Sequence, residues 1–314
     1  MPQLYNQYHI ETDTMDESSI RDKERRKFRL VVGDIGGIQP YIFRFALEEP
    51  KGASKRLRAR SFYIGLLTQL AAYLILYDLG LPCFNKIIDA GGHFILLIPN
   101  TTKAISQLQQ AEKQIQDWLF KIYQGLIRLN LSYDLELSSD DFQQKNFKKI
   151  FEKLSWFVEK TKKQSFCSTL KPDGKWDSNA YYHHPPDLRN FRNFEEAERE
   201  FFTNLGRILP QSRYLLVSID SQPPKGLISL GNLKTEEYIR PFGRIAINFE
   251  KRYPRDIDNL HTLIEFAPNP DQANYGDILC GQFTANYIPR QSEQDRFLYT
   301  HKEVVDWLNK ELKE

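Results

Sequence analysis

The feature that most constrains the fold is a run of apolar segments separated by glycines, from Phe28 to Asn100. It opens with the apolar residues 28–32, which favour a buried strand that Gly33 would end. A helical pattern follows. After the basic connector at residues 51–60, a longer helical pattern spans Ser61 to Leu79, with Ser61 as its predicted N-cap. Two short apolar runs then flank Gly91-Gly92, where glycines favour the tight turn of a β-hairpin. The predicted order is strand, helix, helix, strand, turn and strand.

The segments after this stretch complete an α+β domain. Helical periodicity from Thr102 to Arg128 and an apolar run from Leu129 to Leu137 predict a third helix and a fourth strand. This order of elements predicts a ferredoxin-like sheet with helices on one face. Residues 139–163 carry an amphipathic pattern and predict an extra helix that packs on the domain. We therefore place this domain at residues 28–163, after a polar arm at residues 1–27.

Charge and cysteine content limit the classes of function. The formal net charge is only +2, so any nucleic acid would be bound through local patches. The three cysteines lie far apart without zinc-ligand spacing or a disulfide framework, which is typical of a reducing cytoplasm. The apolar segment from Phe62 to Leu79 contains Gln69 and Asp78, so we interpret it as a core helix. These features predict a cytoplasmic protein that has no membrane partner.

Three motifs resemble the Cas10/Csm1 family, the large subunit of type III CRISPR effector complexes. They read GDIGGIQPYIF from Gly33, KGASKRLRARSFYIGLL from Lys51 and DAGGHFILLIPN from Asp89, and they follow the order found in the family. The resemblance is strong over the first third of the chain and thin over the rest. It implies that residues 28–163 are the first of the family's two palm domains, the ferredoxin-like fold of nucleotide cyclases and polymerases.

The sequence departs from the family pattern in three places. The family's active palm carries a Gly-Gly-Asp-Asp turn, whereas the hairpin here reads Gly91-Gly92-His93-Phe94. No His-Asp pair of the family's nuclease domain precedes the first strand. We therefore expect a split or truncated form with a degenerate palm. Residues 164–193 are predicted to be a loop that replaces the family's zinc insertion without its cysteines, and residues 194–314 a small α/β linking domain with a C-terminal helix. Within this linking domain we predict a helix at residues 194–205 that ends at Gly206, and strands at residues 214–219, 226–230 and 244–249. The acidic pair Asp256 and Asp258 is interpreted as part of a solvated turn.

The resemblance also implies a nucleotide site at the end of the first strand. Two-metal catalysis needs converging carboxylates, and Asp34 is one, but the hairpin offers His93 and Phe94 instead of acids. A carboxylate with an imidazole is a poor magnesium site, so we predict no catalytic residue and no metal ligand here. A capping role for Asp34 in the following turn stays open. The predicted nucleotide-binding residues are Asp34, Ile35, Gly36, Gly37, Gln39, Gly91, Gly92 and His93.

A basic segment lies next to these residues in the sequence. We predict that Lys55, Arg56, Arg58, Arg60 and Ser61 contact phosphate or RNA. The alternatives are a solvent-exposed loop with an ion pair from Arg60 into the sheet, and a contact with guide RNA or a neighbouring subunit.

Three functions remain open at this point. The first is an effector subunit that binds ATP and assists cyclic oligoadenylate synthesis, with magnesium supplied by a second Cas10-like chain that carries the Gly-Gly-Asp-Asp palm. The resemblance implies RAMP-type Cas subunits, guide RNA and target RNA as further partners. The second is a purely structural subunit that bridges guide RNA and other Cas subunits. The third is a stand-alone nucleotide-binding palm. In none of them do we expect the chain to be an active enzyme alone.

Overall fold

The computed structural model describes residues 2–44, 53–164, 171, 175, 188–212, 214–221, 236–250 and 262–265. The strands are β1 (Phe28–Gly36), β2 (Lys86–Ala90), β3 (His93–Pro99), β4 (Arg128–Leu137), β5 (Tyr214–Ile219), β6 (Ile245–Glu250) and β7 (Thr262–Glu265). The helices are α1 (Pro2–Glu11), α2 (Glu17–Arg21), α3 (Ile38–Arg44), α4 (Ala53–Asp78), α5 (Thr102–Tyr123), α6 (Phe147–Lys162), α7 (Leu188–Ile208) and α8 (Glu236–Ile239). Short 3-10 turns occur at Cys83–Asn85, Ser139–Phe142, Gln144–Asn146, Leu209–Gln211 and Pro241–Gly243.

The first sheet has the strand order β2-β3-β1-β4, and every neighbouring pair is antiparallel. Helices connect β1 to β2 and β3 to β4, while β2 and β3 form a hairpin with Gly91 and Gly92 in its turn. This arrangement is ferredoxin-like and confirms the predicted α+β class.

The two faces of this sheet can be assigned from its register. Gly33 pairs with Phe94 and Asp34 pairs with His93, and successive residues of a strand point to opposite faces. On the Phe94 face, the Tyr133 hydroxyl of β4 donates to Glu112 of α5, with 3.3 Å between the oxygens. On the Asp34 face lies α6, because its Lys162 reaches the Asp34 carboxylate. The helices α5 and α6 therefore cover opposite faces.

Helix α4 lies at the centre of the protein, between the two sheets. Apolar residues on all sides of it are fully buried, which explains why the segment is apolar around its whole circumference. Its Tyr63 ring packs edge-on against Phe201 of α7 at 5.1 Å, and its Phe62 ring lies 6.0 Å from Phe249 of β6. By length and composition α4 could cross a membrane, but 83% of its most apolar window is buried inside the protein. It serves here as a core helix.

The second sheet is smaller, with the order β6-β5-β7 and antiparallel pairing. The predicted strand at residues 214–219 is confirmed, and the one expected at residues 244–249 appears as β6. Apolar packing continues from the first sheet through α4 and α7 into this sheet, so one core crosses the predicted boundary at residue 194. The predicted strand at 226–230, the acidic pair at 256 and 258, the C-terminal helix and most of the loop at 164–193 lie outside the described residues.

The N-terminal segment is not an unstructured polar arm. Residues 2–11 form α1, where Leu4, Tyr8 and His9 are buried. The Gln3 amide donates to the Gly80 carbonyl at 2.8 Å, which ties α1 to the end of α4. The buried side of α1 has only a few apolar residues, spaced one helical turn apart. Because the segment is otherwise polar, this weak pattern does not predict a helix from sequence alone.

Three predicted boundaries were also wrong, each for a local reason. Strand β1 continues through Gly33 to Gly36. Gly33 leaves room for the Phe94 ring of β3, because a Cβ at position 33 would lie 2.1 Å from Cζ of that ring. Helix α4 begins at Ala53, eight residues before the expected cap Ser61, so the basic connector is helical. Helix α7 continues past Gly206, where the missing side chain allows close contact with the Lys55 carbonyl.

Candidate functional site

Asp34 lies at the C-terminal end of the central strand β1 with its side chain 8% exposed. Its Oδ1 lies 2.6 Å from His93 Nδ1, and its Oδ2 lies 3.3 Å from Lys162 Nζ. The amide of Asn130 on β4 donates to the Asp34 carbonyl at 3.3 Å. The carboxylate is therefore held between an imidazole and an ammonium group, and the backbone behind it is fixed by β4.

Lys162 is the member of this cluster that sequence reasoning missed. It lies in the last turn of α6, and its pKa is raised by a hydrogen bond to Glu159 and by the nearby Asp34 carboxylate. The ammonium group therefore stays protonated at neutral pH. No local signal in the sequence pairs Lys162 with Asp34, because the contact depends on how α6 docks on the sheet.

The Gly91-Gly92 turn packs directly beside this cluster. The Ile35 amide donates to the Gly92 carbonyl at 2.9 Å, which holds the hairpin against the end of β1. A side chain at Gly92 would come within 2.8 Å of the Ile38 methyl group, whereas a Cβ at Gly91 would meet no atom within 4 Å. Of the two glycines in this turn, Gly91 is therefore the one whose backbone can be approached openly.

Gly36 and Gly37 serve the packing of the chain itself. Gly37 has a φ of +87°, and a Cβ there would lie 1.7 Å from the Leu126 carbonyl oxygen. A Cβ at Gly36 would lie 3.0 Å from Nε of Arg128. These glycines permit close approach to the loop before β4 and to β4 itself. Of the predicted nucleotide residues, seven are thus gathered at this end of the sheet, and Gln39 is exposed in the first turn of α3.

The basic segment is divided by its helical conformation. Lys55 and Arg58 are exposed, and Arg56 and Ser61 are half-buried. Arg60 is buried, with its Nε 3.9 Å from Glu198 Oε1 and its guanidinium over the Phe202 ring. Glu198 also accepts a hydrogen bond from the Tyr41 hydroxyl at 2.7 Å. Arg60 therefore links α4 to α7 in the protein interior, and the four basic side chains do not form one surface.

The donor set at Asp34 does not fit a divalent cation. Within the described part of the chain, no group of three or more histidine, cysteine, aspartate or glutamate side chains could hold a metal ion. The next acidic residue of the hairpin, Asp89, is paired with Lys86 at 2.5 Å, and burial raises its pKa. Lys162 and His93 beside Asp34 instead offer an ammonium group and a ring N–H, which are groups that donate hydrogen bonds to phosphate oxygens.

A family sequence model described as Csm1 subunit domain B matches residues 27–173, the region that forms the first sheet and α6.

Curated relatives match part of the chain. A protein of Thermococcus onnurineus (strain NA1) is 32% identical over 136 residues, or 43% of this chain and 17% of its own length. A Mycobacterium tuberculosis (strain H37Rv) protein is 36% identical over 110 residues, or 33% of this chain and 13% of its own length. Both are named CRISPR system single-strand-specific deoxyribonuclease Cas10/Csm1, subtype III-A. The chain thus spans less than a fifth of the length of these two relatives.

Solved structures extend the likeness in fold. A Csm1-Csm4 subcomplex of a type III-A CRISPR-Csm interference complex aligns over 90% of this chain and 32% of its own, with a TM-score of 0.56 and 19% identity. A Csm1-Csm4 cassette in complex with one ATP aligns over 79% of this chain and 29% of its own, with a TM-score of 0.56 and 20% identity. The fold resemblance reaches beyond the first sheet.

Proposed function

We propose that this chain, which over residues 27–173 is a member of the Cas10/Csm1 family, is a subunit of a type III CRISPR effector complex and binds one ATP at its palm. The observation that carries the proposal is the open backbone at Gly91 next to the paired Asp34, His93 and Lys162. Glycine without a side chain lets a phosphate approach the backbone, Lys162 supplies positive charge and the His93 ring supplies a hydrogen-bond donor.

In this proposal, each residue of the cluster has its own task. Lys162 and His93 hold phosphate oxygens, while Asp34 orients both groups through its two oxygens. Asp34 is occupied by these partners, so the magnesium that accompanies ATP is held by the Gly-Gly-Asp-Asp palm of a second Cas10-like chain. The two palms together would make cyclic oligoadenylate. Csm4-like RAMP subunits, guide RNA and target RNA are the further partners, and the assembly is cytoplasmic.

A purely structural subunit is the second candidate. It is favoured by the same contacts, because Asp34 already pairs with Lys162 and His93 and needs no ligand to be stable in its buried position. In that case the complex would assemble normally and the palm of this chain would bind no nucleotide. A stand-alone nucleotide-binding palm would instead bind ATP tightly without any partner.

The first test is affinity purification of the tagged chain from its native cell, with identification of the co-purifying proteins and RNA. Recovery of a Gly-Gly-Asp-Asp chain, RAMP-type subunits and a short guide RNA supports the effector subunit. Recovery of the chain alone, free of RNA, contradicts it.

The second test measures ATP binding by the purified assembly with a matched pair of variants. Gly91→Leu places a bulky uncharged side chain at the open backbone, and Gly80→Leu is the control. Both positions have nearly equal positive φ values of +63° and +64° and no neighbouring atom within 4 Å. Their backbone strain is therefore similar. We expect ATP binding to weaken at least ten-fold in Gly91→Leu only. Equal ATP affinity in the two variants would support the purely structural subunit.

A further inference from the structure

The outward side of α6 carries a stripe of basic and aromatic residues that the nucleotide site does not use. Lys149, Lys153, Trp156 and Lys160 are spaced by four, three and four residues, so they lie on one side of the helix. We call these four residues the α6 stripe. All four are exposed, and Trp156 is 63% exposed although it is the largest apolar side chain of the helix.

The α6 stripe borders a cavity of about 380 Å³ between α6 and β4. Three carboxylates line the cavity, and each is already engaged within the protein. Asp134 pairs with Lys160 at 3.2 Å, Glu136 pairs with Arg29 at 2.7 Å, and Asp141 accepts the Ser138 amide at 2.8 Å. Lys160 is thus paired with Asp134, whereas these acids leave Lys149 and Lys153 on the opposite side of the cavity without an ion pair.

Lys149 and Lys153 line the same cavity and have no ion-pair partner among the described residues. Residues 144–164 contain seven lysines and two glutamates, although the whole chain has a net charge of only +2. This helix is therefore a local basic patch on a nearly neutral protein, and its charge is complementary to a polyanion.

Trp156 is held in place by its neighbours although it is exposed. Its ring packs edge-on against Phe157 at 5.1 Å, and Lys160 Nζ lies 6.0 Å from its centroid. An exposed aromatic ring near lysines without an ion pair, here Lys149 and Lys153, is the combination that binds single-stranded nucleic acid, since bases stack on the ring and phosphates pair with the lysines. A double helix offers no free base for this stacking.

We propose that the α6 stripe binds a single-stranded nucleic acid, with one base stacked on Trp156 and the flanking phosphates on Lys149 and Lys153. The inference does not require the nucleotide site at Asp34. A protein partner would also cover Trp156, but it would not by itself account for the excess of lysines around the ring.

The test measures binding of fluorescein-labelled 20-nucleotide oligouridylate and oligothymidylate to the full-length chain by fluorescence anisotropy. Trp156→Ala should weaken binding by about five-fold to a hundred-fold, the cost of losing one stacked base, while Trp156→Phe retains most of it. Phe84→Ala is the matched control, because Phe84 is equally exposed at 64% but lies before β2. Tighter binding of oligouridylate would identify RNA as the ligand, and equal binding a general single-strand site; both support the proposal.

The salt dependence tests the lysines separately. Lys149→Ala combined with Lys153→Ala should reduce the slope of log affinity against log salt by about 1.4, or about 0.7 for each lost phosphate contact. The control combines Lys103→Ala and Lys113→Ala, two exposed lysines of α5. The proposal is overturned if the wild-type chain binds neither oligonucleotide in 50 mM salt, or if Trp156→Ala behaves like Phe84→Ala. The stripe would then be assigned to a protein partner.

Discussion

Gly37 provides a direct test of how the end of β1 is built. Its φ of +87° is a conformation that residues with a side chain rarely adopt, and a Cβ would lie 1.7 Å from the Leu126 carbonyl oxygen. That oxygen belongs to backbone just before β4, so no side-chain rotation can relieve the contact. Gly37→Ala should therefore force the β1–α3 turn away from β4, and we expect a large loss of stability.

The size of this loss follows from two separate costs. A left-handed backbone costs an L-residue about 1–2 kcal/mol, and forcing extra volume into a packed site costs about 1–3 kcal/mol more. Gly37→Ala should therefore lower the free energy of unfolding by about 2–5 kcal/mol. Gly80→Ala is the control, because Gly80 has a φ of +64° with no atom near its Cβ position and carries the first cost alone.

Urea denaturation followed by circular dichroism gives both free energies of unfolding. We expect Gly37→Ala to be less stable than Gly80→Ala by about 1–3 kcal/mol, with unchanged m values. A difference below about 0.5 kcal/mol would refute the close approach of Gly37 to Leu126. If the difference is found, a Gly37 variant that loses ATP binding does so because the β1–α3 turn is disrupted. That loss would then not be evidence that Gly37 contacts phosphate.

Two further predictions concern ionisable groups. Burial raises the pKa of Glu112 to about 7, so its protonated form is favoured in the folded state. As the pH rises from 5 to 8, the wild-type chain should lose about 1–2 kcal/mol of stability relative to Glu112→Gln. This is about half of the full linkage value, because the Glu112 side chain is only half-buried. A stability difference between the two proteins that does not change with pH would contradict this. Arg244 joins Asp78 and Asp220 through hydrogen bonds of 2.6–2.9 Å. Arg244→Lys should lower the free energy of unfolding by about 1–2 kcal/mol in urea titrations, because lysine lacks the guanidinium fork. Arg21→Lys is the control, since Arg21 forms an exposed ion pair, and it should change the free energy of unfolding by less than about 0.5 kcal/mol.

Much of the first sheet could be predicted from local pattern. The apolar runs and the Gly91-Gly92 turn correctly gave four strands and a hairpin, because glycine spacing and alternating burial are local properties. The end of β1 and the start of α4 could not be predicted in this way. Gly33 was read as a break although its role is to accommodate Phe94, and the residues before Ser61 were read as a polar loop although they begin a helix that packs on α7.

The candidate site was predictable only in part, for the same reason. Asp34 and His93 belong to motifs at the ends of adjacent strands, so sequence order brought them together. Lys162 joins them only because α6 docks on the same face, and no local pattern encodes that contact. The burial of Arg60 against Glu198 depends on α7, which lies far along the chain. Contacts between these neighbouring motifs could be predicted from the sequence, whereas contacts that depend on distant helices could not.

Photo-crosslinking of the purified assembly with 8-azido-ATP tests the nucleotide site most directly. Trypsin would release residues 30–44 and 87–103 as two peptides, which together contain all eight predicted nucleotide-binding residues. We expect the label in these peptides and its loss when excess ATP competes. Label that appears only in other peptides, or that excess ATP does not displace, would contradict nucleotide binding by this palm.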